Sequence, residues 1–513
     1  MNYSIIRYVV GYVLKVEAAM LLLPVIVDFI HGEDKWYYYL ISAGLCALAG
    51  VTMTIVKPKS NIFYLKEGCV STALSWIGLS IFGGLPFFLS GEIPSFINAI
   101  FEVVSGLTTT GASILSDLST LSHASLFWRS FTHWIGGMGV LVFLMAILPM
   151  TGGSTINLMR AESPGPDVGK LAPHMRETAR ILYLIYMGLT ATMLLILLIS
   201  GMPVFDAFTM SFGTAGTGGF AVRNSGMADY TVFQQVVINV FMILFGVNFN
   251  AFYYIVYRKF KKAWQMEEVR AYFIIILASI TIITINILHM CSGVWDAIQK
   301  AAFQVGSIIT TTGFSNTDFD TWPSLSKYIL VLLMFMGACA GSTGGGLKVS
   351  RVLILLKSVG KEITSYIHPK TIRKIRFENA PLTHEIVRST TVYFLAYIAL
   401  FIVSLFIISL NGYDFETNFT GVAATINNIG PGLSAVGPTQ NFDFFSPLSK
   451  IVFIFDMLAG RLELFPMLIL FYPRIMIEDF THHHHHVHIR SIYHRHRPHF
   501  LRGSRNNGKH SDD

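Results

Sequence analysis

The chain has 513 residues, of which 53% are hydrophobic and only 13% charged, with a mean hydropathy of +0.55. That balance is far more apolar than a soluble globular protein carries, and it excludes one. The net charge of +7 gives no argument for nucleic acid, because six Arg/Lys and two Asp after residue 481 supply +4 of it and leave +3.

Taken in chain order, apolar runs long enough to cross a bilayer of about 30 Å lie near 5–30, 36–56, 68–90, 126–149, 180–201, 231–257, 271–292, 325–357, 388–411 and 446–472. The reading is an all-α integral membrane protein with ten transmembrane helices. The first run is long, contains Lys15 and Glu17 and lacks a small-residue cleavage pattern, so it is expected to remain as a span. Cys46, Cys69, Cys291 and Cys339 fall within the runs without metal-like or redox spacing and read as apolar filler.

Lys and Arg concentrate in alternate connections, which marks the cytoplasmic side. Lys57, Lys59 and Lys66 mark one such loop, Arg258, Lys259, Lys261, Lys262 and Arg270 a second, and Lys357, Lys361, Lys370, Arg373, Lys374, Arg376 and Arg388 a third. The other connections carry Glu33, Asp34, Glu92, Asp117, Asp229, Asp318, Asp320, Asp414 and Asp443. Both termini are therefore expected inside, and the basic loops suit anionic membrane lipid or an acidic protein surface. The stretch from His482 to His486 onward, with ten of the 17 histidines, has no hydrophobic pattern and reads as a tag with vector-derived sequence.

A threonine/glycine motif recurs four times on the acidic side: Thr108-Thr109-Thr110-Gly111, Gly216-Thr217-Gly218-Gly219, Thr310-Thr311-Thr312-Gly313 and, divergently, Asn427-Asn428-Ile429-Gly430. With Gly111, Gly218, Gly313 and Gly430 as the motif glycines, the spacings are 107, 95 and 117 residues, the length of a two-span hairpin with its loops. About ten to fifteen residues precede each motif, too few to span and suited to a re-entrant half-helix. Non-helical backbone survives in a membrane only where it is buried or lines a water-filled cavity. Four such segments around an axis would present a ring of carbonyls able to replace a cation's hydration shell. Each half-helix would aim the negative end of its dipole at that axis.

The resulting division is 1–60, two extra N-terminal spans; 61–155, 156–258, 259–360 and 361–476, four pseudo-symmetric span/half-helix/filter/span repeats around one pore; and 477–513, a disordered His-rich tail. Gly341-Ser342-Thr343-Gly344-Gly345-Gly346-Leu347-Lys348 interrupts the 325–357 run. Each of its glycines costs about 1 kcal/mol relative to alanine in a helix, so that span is expected to break around a flexible loop placed to plug the pore. Arg461 is read near the centre of its run, where a lone Arg costs roughly 2.5–3.5 kcal/mol. It should face a water-filled pore as an electrostatic barrier, bonded to carbonyls of the 341–346 loop or to water. Arg129 and His133 open the run after the first motif and read as snorkelling side chains. Glu102 reads equally as a source of pore potential or as an internal acceptor.

These motifs, with Thr310 to Asp318, Asn427 to Leu433 and Asp456-Met457-Leu458-Ala459-Gly460-Arg461-Leu462-Glu463, closely resemble the membrane subunit of Trk-type bacterial potassium uptake systems, in the Trk/Ktr/HKT superfamily. The likeness covers residues 1 to about 475, and the two extra N-terminal spans resemble the Trk branch. It implies a potassium-conducting, gated, channel-like pore within one chain of a bacterial plasma membrane. It also implies a homodimer of such chains and a cytosolic ring of nucleotide-binding regulatory subunits. Carried over by motif, K+ would be held by Thr109, Thr110 and Gly111; Gly216, Thr217 and Gly218; Thr311, Thr312 and Gly313; and Asn428, Ile429 and Gly430. Gly341, Ser342, Thr343, Gly344, Gly345, Gly346, Lys348 and Arg461 would form the gate. Gly216 stands where the family commonly has serine, and the fourth copy offers no threonine.

K+ is the transported ion in this reading, and no organic cofactor is implied. A K+ symporter coupled to Na+ or H+ is the alternative within transport, although few mid-membrane carboxylates offer to carry protons. A membrane-embedded enzyme would need a nucleophile and base, or clustered ligands, at membrane depth. Outside the tail the histidines are scattered singly.

Overall fold

The computed structural model describes residues 1–58, 64–139, 175–370 and 374–472. The end of the 126–149 run, most of the 150–180 connection, the boundary near 155 and the tail from 477 lie outside the described residues. What is described is helical apart from one short hairpin, Arg376–Phe377 paired antiparallel with Ala380–Pro381.

Among the described residues, five helices are long and apolar enough to cross a membrane: Trp36–Thr54, Leu65–Leu89, Arg180–Ile199, Glu267–Met290 and His384–Ser409. Their outward faces carry exposed Leu48, Ile199, Ile274, Leu395 and Phe406. Apolar side chains left outside a packed helical body are what a lipid solvent permits. The chain is a multi-pass membrane protein.

Several runs that read as single spans are broken, each for a local reason. The 5–30 run is two helices, Tyr3–Met20 and Leu22–His31, and Pro24 supplies no amide for a bond across the joint. The 231–257 run is Val232–Phe245 followed by Phe249–Val256 at 94°. Asn248 restarts the chain there, its side chain accepting from Asn250 N–H at 2.9 Å as an N-cap. The 325–357 run is Ser324–Phe335 and Val349–Ile367, separated by residues 336–348.

The 446–472 run is Pro447–Arg461 and Phe465–Leu470. Glu463 (φ 63°) and Leu464 (φ 60°) take left-handed backbone and stop the first of these. Arg461 is therefore at a helix end and not at the centre of a span.

The four segments before the motifs are Phe96–Leu107, Val204–Ala215, Val294–Ile309 and Phe415–Ile426, of 12, 12, 16 and 12 residues. At 1.5 Å per residue, a 12-residue helix covers about 18 Å, so each stops partway through a bilayer. Asp414 starts the fourth, its carboxylate accepting from Thr417 N–H at 3.0 Å and Thr417 Oγ1–H at 2.6 Å.

Candidate functional site: a ring of four helix-ending turns

Each short helix ends in one backbone geometry. Its last residue is followed by a cap (Thr108, Gly216, Thr310, Asn427) and then by a left-handed residue: Thr109 (φ 55°), Thr217 (52°), Thr311 (58°) or Asn428 (56°). The next N–H turns back to the helix. Thr110 donates to Ser105 C=O at 2.8 Å, Gly218 to Gly213 at 2.8 Å, Thr312 to Ser307 at 2.9 Å and Ile429 to Ala424 at 2.8 Å.

This pairing is the Schellman ending, which normally places glycine at the left-handed position. Here three β-branched threonines and an asparagine occupy it. Left-handed backbone costs an L-residue roughly 1–2 kcal/mol, so the surrounding packing must impose it, a mark of functional sites. A glycine with positive φ completes each turn: Gly111 (81°), Gly219 (84°), Gly313 (85°) and Gly430 (96°).

These glycines close the four turns into a ring. A Cβ on Gly111 would overlap the carbonyl oxygen of Gly218, one on Gly219 that of Thr312, and one on Gly313 that of Ile429. One on Gly430 would lie 2.7 Å from Thr110 O, back in the first turn. Every glycine thus abuts the carbonyl at the same position of the next turn, and only glycine permits the approach. A single cavity of about 320 Å³ touches all four glycines and opens outward past Ser113, Asn224 and Asp318.

The ring corrects the register of the second motif. Gly216 has φ −73° and ψ −10° and matches the caps Thr108, Thr310 and Asn427, so Thr217, Gly218 and Gly219 form the turn in place of Gly216, Thr217 and Gly218. The hydroxyl missing at Gly216 is therefore a cap hydroxyl. In the first and third turns that group contacts the neighbouring threonine, Thr108 Oγ1 to Thr110 Oγ1 at 2.8 Å and Thr310 Oγ1 to Thr312 Oγ1 at 2.7 Å.

In the fourth turn, Asn428 uses its amide as a cross-link. Its Nδ2 donates to Thr110 Oγ1 at 3.0 Å and to Met457 C=O at 2.9 Å. Thr109 Oγ1 is buried and has no protein partner among the described residues.

Arg129, His133 and Glu102 do not snorkel. All three are buried behind the first two turns, with Arg129 Nε 2.8 Å from Glu102 Oε1. Glu102 Oε2 accepts from Ile114 N–H at 3.1 Å, and Arg129 Nη1 donates to Ala221 C=O at 3.2 Å. His133 Nε2 accepts from Phe220 N–H at 3.1 Å, so Nδ1 carries the proton it donates to Gly106 C=O at 2.8 Å. The imidazole thereby ties the first short helix to the exit of the second turn. It also explains two glycines, because a Cβ at Gly218 would overlap the His133 ring and one at Gly216 its carbonyl.

Residues 336–348 lie against the ring's other face. A Cβ on Gly344 would lie 3.0 Å from Thr310 O and one on Gly345 2.6 Å from Asn427 O, while Gly345 N–H donates to Thr311 Oγ1 at 2.7 Å. The loop is bonded along its length and is not slack. Gly337 N–H donates to Leu347 C=O at 2.6 Å, Cys339 N–H to Gly246 C=O at 3.0 Å, and Phe249 N–H to Gly341 C=O at 3.0 Å. Ser342 Oγ–H donates to Cys339 C=O at 2.6 Å. Gly341 (φ 64°) and Gly346 (φ 68°) make its bends.

Two buried cations hold the loop's carbonyls. Lys348 Nζ donates to Gly344 C=O and, at 3.2 Å, to Gly345 C=O. Arg461 donates to Thr343 C=O at 2.8 Å, to Gly137 C=O at 2.8 Å and to Gly136 C=O. Glu463 pairs with Arg351, and Asp456 accepts from Ser404 Oγ–H at 2.7 Å.

Sequence reasoning missed Gly219 and Gly136-Gly137. A glycine pair three residues after His133 was the available signal for the last.

The profile of a family of cation transport proteins, TrkH, matches residues 42–479. The Trk system potassium uptake protein TrkH of Salmonella typhimurium is 35% identical over 482 residues, covering 92% of this chain and 99% of that protein. Its namesake in Halomonas elongata is 32% identical over 480 residues, covering 92% and 99%. The crystal structure of the potassium transporter TrkH from Vibrio parahaemolyticus superposes with a TM-score of 0.83 at 31% identity, over 92% of this chain and 99% of that one.

Proposed function

We propose, from the premise that this chain belongs to the TrkH family of cation transport proteins, that it takes up K+ across a bacterial plasma membrane through a selective, gated, channel-like pore. The observation that carries the reading is the closed ring of four turns, in which each glycine meets the next turn's carbonyl. In each turn the N–H of the left-handed residue and of the residue after it bond back to the helix end, and Thr109 Oγ1 and Asn428 Oδ1 have no partner among the described residues, so the turns offer carbonyl and side-chain oxygens to an ion. Such oxygens replace water around a dehydrated cation. The four short helices direct the negative ends of their dipoles at the same place, so the ring favours cations.

The filter in this reading comprises Thr109, Thr110 and Gly111; Thr217, Gly218 and Gly219; Thr311, Thr312 and Gly313; and Asn428, Ile429 and Gly430. The gate is the loop from Gly341 to Gly346 with Lys348 and Arg461. Placed on carbonyls directly beneath the filter, these two cations oppose K+ in the closed state and must withdraw for conduction. The basic loops face the cytoplasm, the cavity mouth faces outward, two chains form a homodimer, and a cytosolic nucleotide-binding ring acts on the inner face.

The test is flux of K+ against Na+ into liposomes holding the purified protein, with the membrane potential clamped and no second ion gradient. Potential-driven K+ uptake with little Na+ is expected. Flux that requires an added Na+ or proton gradient would assign coupled symport instead.

His133→Ala leaves the Phe220 N–H unpaired, at about 1–3 kcal/mol for a buried group, and takes one of two donors from the Gly106 C=O, which keeps the Thr109 N–H at 3.0 Å. The K+ preference should fall by roughly tenfold in a protein that still purifies as a single species. Unchanged preference would show that the imidazole does not hold the filter.

A further inference from the structure

We infer that Glu268 is the latch of the 341–346 loop and that the hairpin Arg376–Pro381 is the lever that releases it. The inference rests on the gate reading above and extends it to a residue and a surface outside the filter and the loop.

Glu268 is buried in the first turn of the Glu267–Ile287 helix. Its Oε1 accepts from Ala340 N–H at 2.7 Å and from Ser350 N–H at 3.0 Å, and its Oε2 accepts from Asn248 Nδ2 at 3.2 Å. Ala340 immediately precedes the loop, and Ser350 lies in the first turn of the Val349–Ile367 helix that follows it. One carboxylate oxygen therefore pins both ends of the loop together, and the other ties them to the residue at the 94° bend. Three N–H donors from three separate segments thus converge on one buried carboxyl group.

The hairpin sits on this latch. The backbone N–H of Glu268 is one of the helix-starting amides that lack a partner within the helix. It donates to Glu378 Oε1, from the hairpin's turn, at 3.4 Å. Glu378 (φ 54°) and Asn379 (φ 62°) form that turn, the two-residue left-handed type that matches strand twist.

A second tie runs through Lys357 on the helix after the loop. Lys357 pairs with Glu267, donates to Arg376 C=O at 2.8 Å and lies 5.6 Å from the Phe377 ring centre. Lifting the hairpin thus pulls at once on the helix carrying the latch and on the helix leaving the loop. The hairpin is otherwise exposed at Arg376, Asn379, Ala380 and Pro381, on the side the basic loops mark as cytoplasmic, where a regulatory protein would reach it.

The test is K+ flux in liposomes with the full chain, comparing Glu268→Ala, Glu268→Gln, Glu378→Ala and the Glu268→Ala/Glu378→Ala pair. Glu268→Ala should raise flux at least roughly fivefold, the lower end of ordinary coupling between sites, with the K+/Na+ ratio unchanged. Glu268→Gln keeps an acceptor oxygen and should return flux close to the parent. Glu378→Ala should raise flux by less, and the pair should not exceed Glu268→Ala alone, because residues in one network do not add.

Unchanged or lower flux in folded Glu268→Ala overturns the latch, and additive effects overturn the hairpin's action through it. If Glu268→Ala does not fold, Glu378→Ala alone decides, and unchanged flux there overturns the proposal. Deleting 341–346 separates the two levels. A rise on deletion without a rise in Glu268→Ala removes the latch and leaves the gate, and no rise in either removes the gate itself.

Discussion

Deleting residues 341–346 is expected to raise K+ flux by roughly tenfold or more, a shift in the opening equilibrium of the size typical for coupled sites. The deletion removes Thr343 C=O from Arg461, both Gly344 and Gly345 C=O from Lys348, and the Gly345 N–H that meets Thr311 Oγ1. The peptide seated beneath Thr310 O and Asn427 O is then gone. Lys348 becomes a buried ammonium without its carbonyls, a state costly enough to draw in water or to swing the side chain away. Both outcomes open the path. Flux should be measured under a clamped potential on protein that elutes as one species. Flux equal to or below that of the intact chain would count against the gate.

The largest effect on selectivity is expected from Gly111→Ser and Gly313→Ser. Each glycine has a φ above 80° and sits where a Cβ would overlap a carbonyl oxygen, that of Gly218 or of Ile429. The left-handed penalty of roughly 1–2 kcal/mol adds to a displacement of backbone that cannot rotate away as a side chain can. One ring carbonyl must move in each variant, so K+ preference over Na+ should fall by at least roughly tenfold, the factor that about 1.4 kcal/mol of lost discrimination produces. The measurement is the ratio of K+ to Na+ flux. A ratio that survived both substitutions would remove these residues from the filter.

The short helices and the motif positions could be read from composition and spacing, because segments of about a dozen residues ahead of Thr-Gly have few other uses in a membrane protein. The register of the second turn could not. Thr217-Gly218-Gly219 offers two glycines with equal claim, and the helical angles of Gly216, the positive φ of Gly219 and its approach to Thr312 O choose between them.

Arg129 and His133 were misread for a related reason. A cation near the end of an apolar run can always reach water, and nothing local announces that Glu102, 27 residues earlier, waits for Arg129. The broken spans differ in how plainly they show. Pro24 and Gly341 to Gly346 announce their breaks in the composition, whereas the bend at Asn248 and the stop at Glu463 and Leu464 rest on local backbone geometry that composition does not mark.

The asparagine in the fourth turn has an effect beyond its own segment. Asn428 reaches the hydroxyl of Thr110 and the backbone of Met457 together, so the last turn is riveted to the first and to the helix that carries Arg461. A cyclic arrangement assembled from one continuous chain has a seam where its two ends meet, and that seam would be its weakest joint. The divergent copy lies at the seam and supplies the side chain that welds it. The departure from threonine there puts one side-chain amide on both the first turn and the helix that carries Arg461.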